Sequence, residues 1–249
     1  MSELTGLYGM WYRELKVFMR EKSRIFSSLL NPLMWLVVFG TGLGSAVSIQ
    51  GANYQTFIFP GILVMTVLFT CIFFGAYIVL DKRIDFLKEV LVAPISRTTM
   101  FFGKALGGTT DAFIEVMILL ALGVFFGIHY SVLSVLLTLL TMFIVAISVV
   151  SIGLIIGSFM NSTEGFGLIG GFVVFPLFFL SGALFPTNNL PSWLAAFVGV
   201  NPLSYAVDLL RGLLLNLHTY NLWLDFSVLV GFAVVMVVAG TLAFRRLKP

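Results

Sequence analysis

Apolar positions along the 249-residue chain gather into six long runs, roughly 29–48, 57–80, 106–128, 132–156, 165–185 and 224–244. Each has about 20 or more residues, enough at about 1.5 Å of rise per residue to cross a hydrocarbon core of about 30 Å. Backbone groups in lipid must be satisfied internally, so continuous apolar runs of this length predict helices. They lack the alternation that a membrane barrel requires. The expected fold is an all-α integral membrane protein, one domain over 1–249 with six transmembrane helices. The interruptions carry the remaining information: an amphipathic segment 1–27, a charged connection 81–104, and "LSGALFPTNNLPSW" from Leu180 to Trp193.

Composition agrees with the pattern. Hydrophobic residues make up 59% of the chain and charged residues 10%, against about 25% charged in a soluble domain. The charges are also placed unevenly. Of the fourteen basic residues, only Arg211 falls outside the segments 1–27 and 81–104 and the C-terminal tail. With six spans these three segments share one side, and the positive-inside rule makes it the cytoplasm, with both termini inside. The first 27 residues read as amphipathic rather than as a cleavable signal peptide. Cys71 lies inside an apolar run, and a lone cysteine excludes an intrachain disulfide.

Two cytoplasmic helices are predicted. Over 4–26, Arg13, Lys16, Arg20 and Arg24 form one stripe, and Leu4, Leu7, Tyr8, Trp11, Leu15, Phe18 and Ile25 fall opposite. Such a helix suits the headgroup boundary, as a topogenic anchor or as a docking element. In "DKRIDFLKEVLVAPISR", Asp81, Lys82, Asp85, Lys88 and Glu89 share a face opposite Ile84, Leu87, Val90 and Leu91, and Pro94 ends the helix. This surface is one that a soluble protein can grip; the alternative is a solvated loop on the headgroups.

Catalytic chemistry is not visible in the sequence. The only approach to a phosphate-binding loop, "FGKAL" around Gly103 and Lys104, lacks the upstream glycine and the following Ser or Thr. His129 and His218 lie far apart on expected external loops, without metal-ligand spacing. Asp111 and Glu115, four residues apart on the third run, share a helix face. Intramembrane carboxylates face a bundle interior or water, so they mark a site for cationic substrate or a proton relay. The alternative is a third helix that starts later, leaving both near the cytoplasmic interface beside a basic residue. Glycines at spacing four (Gly40/Gly44, Gly123/Gly127, Gly153/Gly157, Gly167/Gly171) predict close helix packing.

The stretch after the fifth run cannot continue a helix: Pro186 removes a donor and Asn188-Asn189 favours a turn. Residues Trp193 to Val200 are apolar but too short to span, and "NPLSYAVDLLRG" restarts a helix with Asn201 as cap and Pro202 at its first position. Asp208 and Arg211 are spaced to pair. Two short helices dipping into the outer leaflet over 186–212 fit this pattern. At this point the chain resembles a known family. "FIFPGIL" (Phe57 to Leu63), "FLKEVLVAPISR" (Phe86 to Arg97), "FFLSGALFPTNNLPSW" (Phe178 to Trp193) and "NPLSYAVDLLRG" (Asn201 to Gly212), in this order, resemble the permease subunits of ABC-2 type ATP-binding-cassette exporters, in the drug-resistance and nodulation-factor branch.

The resemblance implies an amphipathic N-terminal helix, six spans and a re-entrant external hairpin. It implies two copies of the permease and two copies of a separate ATP-binding-cassette ATPase subunit that docks beneath them. A coupling helix, here 82–93, sits in a cleft of the ATPase, with Lys82, Asp85, Phe86, Leu87, Lys88 and Glu89 as contacts. The external hairpin helps close an outer gate, which places Phe185, Pro186, Pro191, Trp193, Asn201, Pro202, Tyr205, Asp208 and Arg211 there. No cofactor is expected on this chain, since ATP and Mg²⁺ belong to the partner. Membrane lipid is a partner and nucleic acid is not. The implied setting is the plasma membrane of a prokaryotic cell, and the family's cargo includes amphipathic drugs, lipids and lipid-linked saccharides. Asp111 and Glu115 match no family motif. The rival readings are a proton-coupled secondary carrier working through those two carboxylates and a non-transporting scaffold.

The charge distribution makes a direct prediction. A cysteine replacing Lys88 should react with an impermeant maleimide only when the cytoplasmic face is opened, and one replacing Asn188 should react in intact cells. Labelling of position 88 in intact cells would invert the topology.

Overall fold

The bundle is built around one helix that is buried over most of its surface. In the computed structural model, which describes residues 2–44, 48–49, 52–188 and 190–247, α3 (Tyr54–Phe74) is enclosed along almost its whole length. A helix apolar all round is the type that a membrane protein can place at its centre. Around it stand α2 (Lys22–Gly44), α6 (Arg97–Phe125), α7 (Val132–Phe159), α8 (Thr163–Phe179) and α10 (Pro202–Leu215), with α11 (Leu222–Arg245) behind α7. The remaining elements are α1 (Glu3–Arg20), α4 (Ala76–Arg83), α5 (Phe86–Val92) and α9 (Ser192–Val200). A two-residue ladder pairs β1 (Ser48–Ile49) antiparallel with β2 (Ala52–Asn53). The all-helical membrane architecture read from the sequence is therefore the observed one.

Among the described residues five helices, with α3 and α4 taken as one rod, are long and apolar enough to cross a membrane. The α8 helix has 17 residues, about 25 Å, and its surroundings show that it runs the depth of the bundle. Glu164 at its start meets Arg83 at one end of the α3–α4 rod, 3.3 Å apart. The turn after it reaches the other end, where Tyr54 Oη donates to Leu184 O at 3.1 Å. Fewer residues than 165–185 are helical because the chain turns after Leu180, and Gly182 adopts φ +69°, which favours glycine.

Several limits move, each for a physical reason. The amphipathic helix stops at Arg20, and residues 22–26 begin the next helix, so Arg24 leaves the basic stripe. The third span begins at Arg97, not 106: Ser96 caps it by accepting from Thr99 N at 3.1 Å, and Lys104 is carried inside by its acidic partners. The second span runs on to Arg83 after a break at Gly75. The helix expected over 82–93 is interrupted at Asp85, whose left-handed φ of 58° separates α4 from α5. The turn residue Asn189, the tail residue Lys248 and the side chains of Lys88 and Leu91 lie outside the described residues.

The break at Gly75 is also the tightest helix crossing. A Cβ on Gly75 would sit 2.0 Å from Gly153 O, one on Gly157 would sit 2.2 Å from Gly75 O, and one on Gly153 would sit 2.5 Å from Ile72 O. Backbone meets backbone here, which lipid-facing helices need because apolar burial alone gives them little reason to associate. The other glycine pairs divide. Gly40 and Gly44 face Gln55 and Asn53, and Gly123 faces Phe59 and Tyr130, but a Cβ on Gly127 or Gly167 would meet nothing and one on Gly171 only Phe175. Gly153→Leu should therefore lower the thermal midpoint of the detergent-solubilised protein sharply, since overpacking costs about 1–3 kcal/mol even where side chains can yield. Gly167→Leu should leave it within about a degree, as expected for a surface change.

Candidate functional site

The polar end of the bundle is organised by charges that no longer touch water. Glu14, Asp81 and Lys104 are all buried. Lys104 Nζ lies 2.8 Å from Glu14 Oε1 and contacts Asp81 Oδ2, while Arg13 bridges the same two acids at 2.7 and 3.0 Å. Two bases and two acids make a neutral cluster that ties α1, α4 and α6 together. The sequence reading set Asp81 on a solvent-facing helix surface and missed this cluster. A cue was present, since Asp81 and Lys104 both border long apolar runs, where an unpaired charge is expensive.

The same cluster explains how α1 sits. Its face against the bundle is Gly6, Met10, Glu14 and Phe18; of the residues expected on the apolar face Phe18 is buried there, while Leu4 and Tyr8 are exposed. A Cβ on Gly103 would meet Met10, and one on Gly107 would meet Glu14, so the two glycines of α6 form the bed on which α1 lies. Trp11 Nε1 donates to Thr110 Oγ1 at 2.9 Å. At the other end Glu3 accepts from the Thr99 hydroxyl and from Ser96 N. Those bonds hold its carboxyl below the usual carboxylate range, so this tie is present at neutral pH and released as pH falls through that lowered value.

The residues expected to couple to an ATPase part company. Lys82 turns inward, its Nζ donating to the carbonyls of Gly157, Ser158 and Met160 at 3.1, 2.7 and 2.9 Å. It neutralises the C-terminal end of α7, where carbonyls lack intrahelical partners. Leu87 and Val90 are buried against the bundle, and Phe86 lies under Arg13, whose guanidinium carbon is 3.8 Å from the ring centroid. Asp85, Glu89 and Val92 face outward. Beside them a cleft of about 280 Å³ runs between α1 and α5, lined by Met10, Phe86 and Ile95 among others.

Within the spans, Asp111 and Glu115 are completely buried. They stand 14 and 18 positions after the helix start at Arg97, about 21 and 27 Å along the axis. The reading in which the helix starts late is thus overturned, although Asp111 does have a basic neighbour: Arg24 Nη2 is 3.0 Å from its Oδ2. Arg24 also donates to Tyr77 Oη at 2.8 Å. Glu115 accepts from the Thr70 hydroxyl.

At the opposite end, α9 and α10 meet at an 85° bend. Asn201 caps α10 by accepting from Leu203 N at 3.0 Å, with Pro202 at the first helical position, and its own amide donates to Leu177 O at 2.8 Å. Ser204 reaches Leu180 O at 3.2 Å, so the start of α10 closes the end of α8. The expected Asp208–Arg211 pair does not form. Asp208 accepts from Thr219 N and Tyr220 N, while Arg211 donates to Gly182 O at 2.7 Å and stacks over Phe57 at 3.9 Å. Each satisfies backbone of a different turn, which a three-residue spacing cannot reveal. Tyr205 donates to Gly199 O and stacks on Tyr220. Phe185 is half-buried, whereas Pro186, Pro191 and Trp193 are exposed.

Charge balance in the buried cluster is testable. Lys104→Met leaves Glu14 and Asp81 sharing Arg13 alone and should destabilise by about 3–5 kcal/mol. Adding Asp81→Leu restores neutrality and should recover more than half of the lost thermal midpoint. A double variant less stable than the single would refute the pairing.

The sequence matches the model of the ABC-2 type transporter family over residues 5–215. The putative transport permease ycf38 of Cyanophora paradoxa is 27% identical over 99% of this chain and 89% of its own length. The inner membrane transport permease YadH of Escherichia coli K12 is 27% identical over 92% of this chain and 90% of its own. The probable multidrug ABC transporter permease YbhR of the same strain is 30% identical over 66% of this chain and 45% of its own. A multi-pass helical bundle with a bent hairpin before its last helix, matched over most of its length by that family, belongs to the ABC-2 type transporters as a transport permease.

Proposed function

We propose that this permease is the membrane-spanning half of an ATP-driven exporter for an amphipathic drug, lipid or lipid-linked saccharide. Two copies would work with two copies of a separate ATPase, with both termini in the cytoplasm of a prokaryotic cell. The observation that carries the reading is α5. It is a short helix outside the bundle, hinged from α4 by the left-handed Asp85 and anchored by Leu87, Val90 and the Arg13–Phe86 stack. Its outer face offers Asp85 and Glu89 beside the exposed apolar Ile84 and Val92. Apolar side chains at a charged, water-facing end are what a protein partner covers.

ATP binding acts in this reading by displacing α5. Because Arg13 holds both the Phe86 ring and Asp81, the displacement reaches α1 and α4 together. Only a differential affinity of the partner for two states moves such an equilibrium. The hairpin α9–α10 is the external gate, held by Arg211 and Asn201 against the turn after α8. The similarity to a protein named as a probable multidrug permease favours an amphipathic cargo. The secondary-carrier alternative gains little, since Asp111 is tied to Arg24 and only Glu115 is left to relay a proton.

Charge reversal on the outer face of α5 tests this directly. Asp85→Arg with Glu89→Arg should abolish co-purification of the ATPase and at least about tenfold of the export rate, the scale for losing charged contacts at an interface. Intact complex formation and export would remove the coupling role from α5.

A further inference from the structure

A cavity of about 450 Å³ opens between α2, the α3–α4 rod and α6, in the half of the bundle toward the basic end. Its size falls within the range of about 300–1,000 Å³ usual for small-molecule sites. Phe69, Phe73 and Met65 form an apolar wall, Ser27 and Asn31 lie along α2, and Glu115 closes the inner end. Glu115 is wholly buried, and while its Oε2 accepts from Thr70, its Oε1 takes no hydrogen bond among the described residues. The neighbouring Ser28 hydroxyl is committed to Ile25 O at 3.0 Å. A buried carboxylate oxygen without a donor is a standing cost, and a cationic donor entering the cavity removes it.

The surrounding charges favour a cation over an anion. Arg24 lines the same cavity, but its guanidinium is engaged by Asp111 at 3.0 Å, by Tyr77 at 2.8 Å and by Glu21 at 3.9 Å. The charged side chains lining the cavity are Arg24 and Glu115, and Arg24 is already engaged by Asp111 and Glu21 outside the lining. Asp111 Oδ1, behind the wall, is also without a partner. The rings of Phe69 and Phe73, their centroids 6.3 Å apart, both line the cavity beside Glu115. We propose that this cavity binds an amphipathic organic cation, its ammonium group donating to Glu115 Oε1 and its apolar part lying against Phe69 and Phe73. The site stands on its own geometry, and only the statement that this cation is cargo rests on the exporter reading.

Dansylcadaverine, a fluorescent amphipathic amine, tests the site when titrated against the full-length permease in lipid nanodiscs, with empty nanodiscs subtracted. Its N-acetyl derivative is neutral and its N-succinyl derivative is anionic. The amine should bind saturably and at least about tenfold more tightly than the acetyl form, the scale of one charge-assisted hydrogen bond. Glu115→Gln should erase that difference while leaving binding of the acetyl form unchanged. Ser27→Trp, placed at the exposed mouth, should block both and decides the question if Glu115→Gln does not fold. Equal affinity for amine and acetyl forms, preference for the succinyl anion, or undiminished amine binding in the Ser27→Trp protein would each overturn the proposal. No ATPase is present in this assay, so a failed site leaves the coupling experiment intact, and a failed partner leaves the site intact.

Discussion

A charge carried into a bundle that faces lipid must find its partner inside the protein, and this constraint accounts for most of the polar structure. Water is absent as a competitor, so each ion is neutralised, capped or left at a cost of several kcal/mol. Arg13, Glu14, Asp81 and Lys104 neutralise one another. Lys82 settles on the carbonyls that end α7, and Arg211 on those of the turn after α8. Asp208 draws the backbone amides of Thr219 and Tyr220 toward it. Glu115, Asp111 and Asp225 each keep at least one buried carboxyl oxygen with no donor among the described residues.

The two ends of the molecule meet the constraint differently. At the basic end the partners lie on separate helices, as charged side chains or, for Lys82, as the carbonyls that end α7, so the bond is between elements and fixes their relative position. At the other end the partners are backbone groups in turns, and each charge shapes a local loop. Arg211 and Asp208 are only three residues apart, yet they organise the turn after α8 and the loop before α11 respectively. Removing either charge would thus disturb a different connection of the hairpin.

What was legible in the sequence follows the same division. Apolar run length gives helices wherever the solvent is lipid, which is why the all-helical fold and the cap at Asn201 were readable. The bent hairpin was readable too, because Pro202 and a nine-residue α9 restrict the alternatives. Helix limits failed where charge is neutralised across helices: Lys104 looks like loop until Glu14 and Asp81 are placed beside it. Arg24 looks like part of a surface stripe until the chain breaks at Glu21 and carries it toward Asp111. The bonds of Lys82 were not readable, because its acceptors, three carbonyls at the end of α7, have no sequence signature at all. Periodicity describes one helix at a time and is silent about its neighbours.

Apolar contact between helices is scarcely rewarded in lipid, so polar ties and backbone crossings decide which elements move as one body. The α1, α4 and α6 helices share the neutral charge cluster, and α7 is locked to the α3–α4 rod by Gly75, Gly153, Gly157 and the Lys82 cap. Helix α2 is largely exposed and reaches α6 through the Arg24–Asp111 pair, at the edge of the cavity. Yet α2 is not a separate body: it follows α1 directly through Glu21, and Gly40 and Gly44 seat it against Gln55 and Asn53 at the start of the rod. In the proposed export cycle a displacement of α5 therefore reaches α2 through α1 as well as through the Arg24–Asp111 pair. The cavity lies between these connected elements, so its walls are positioned by the same ties that hold α1, α4 and α6 together.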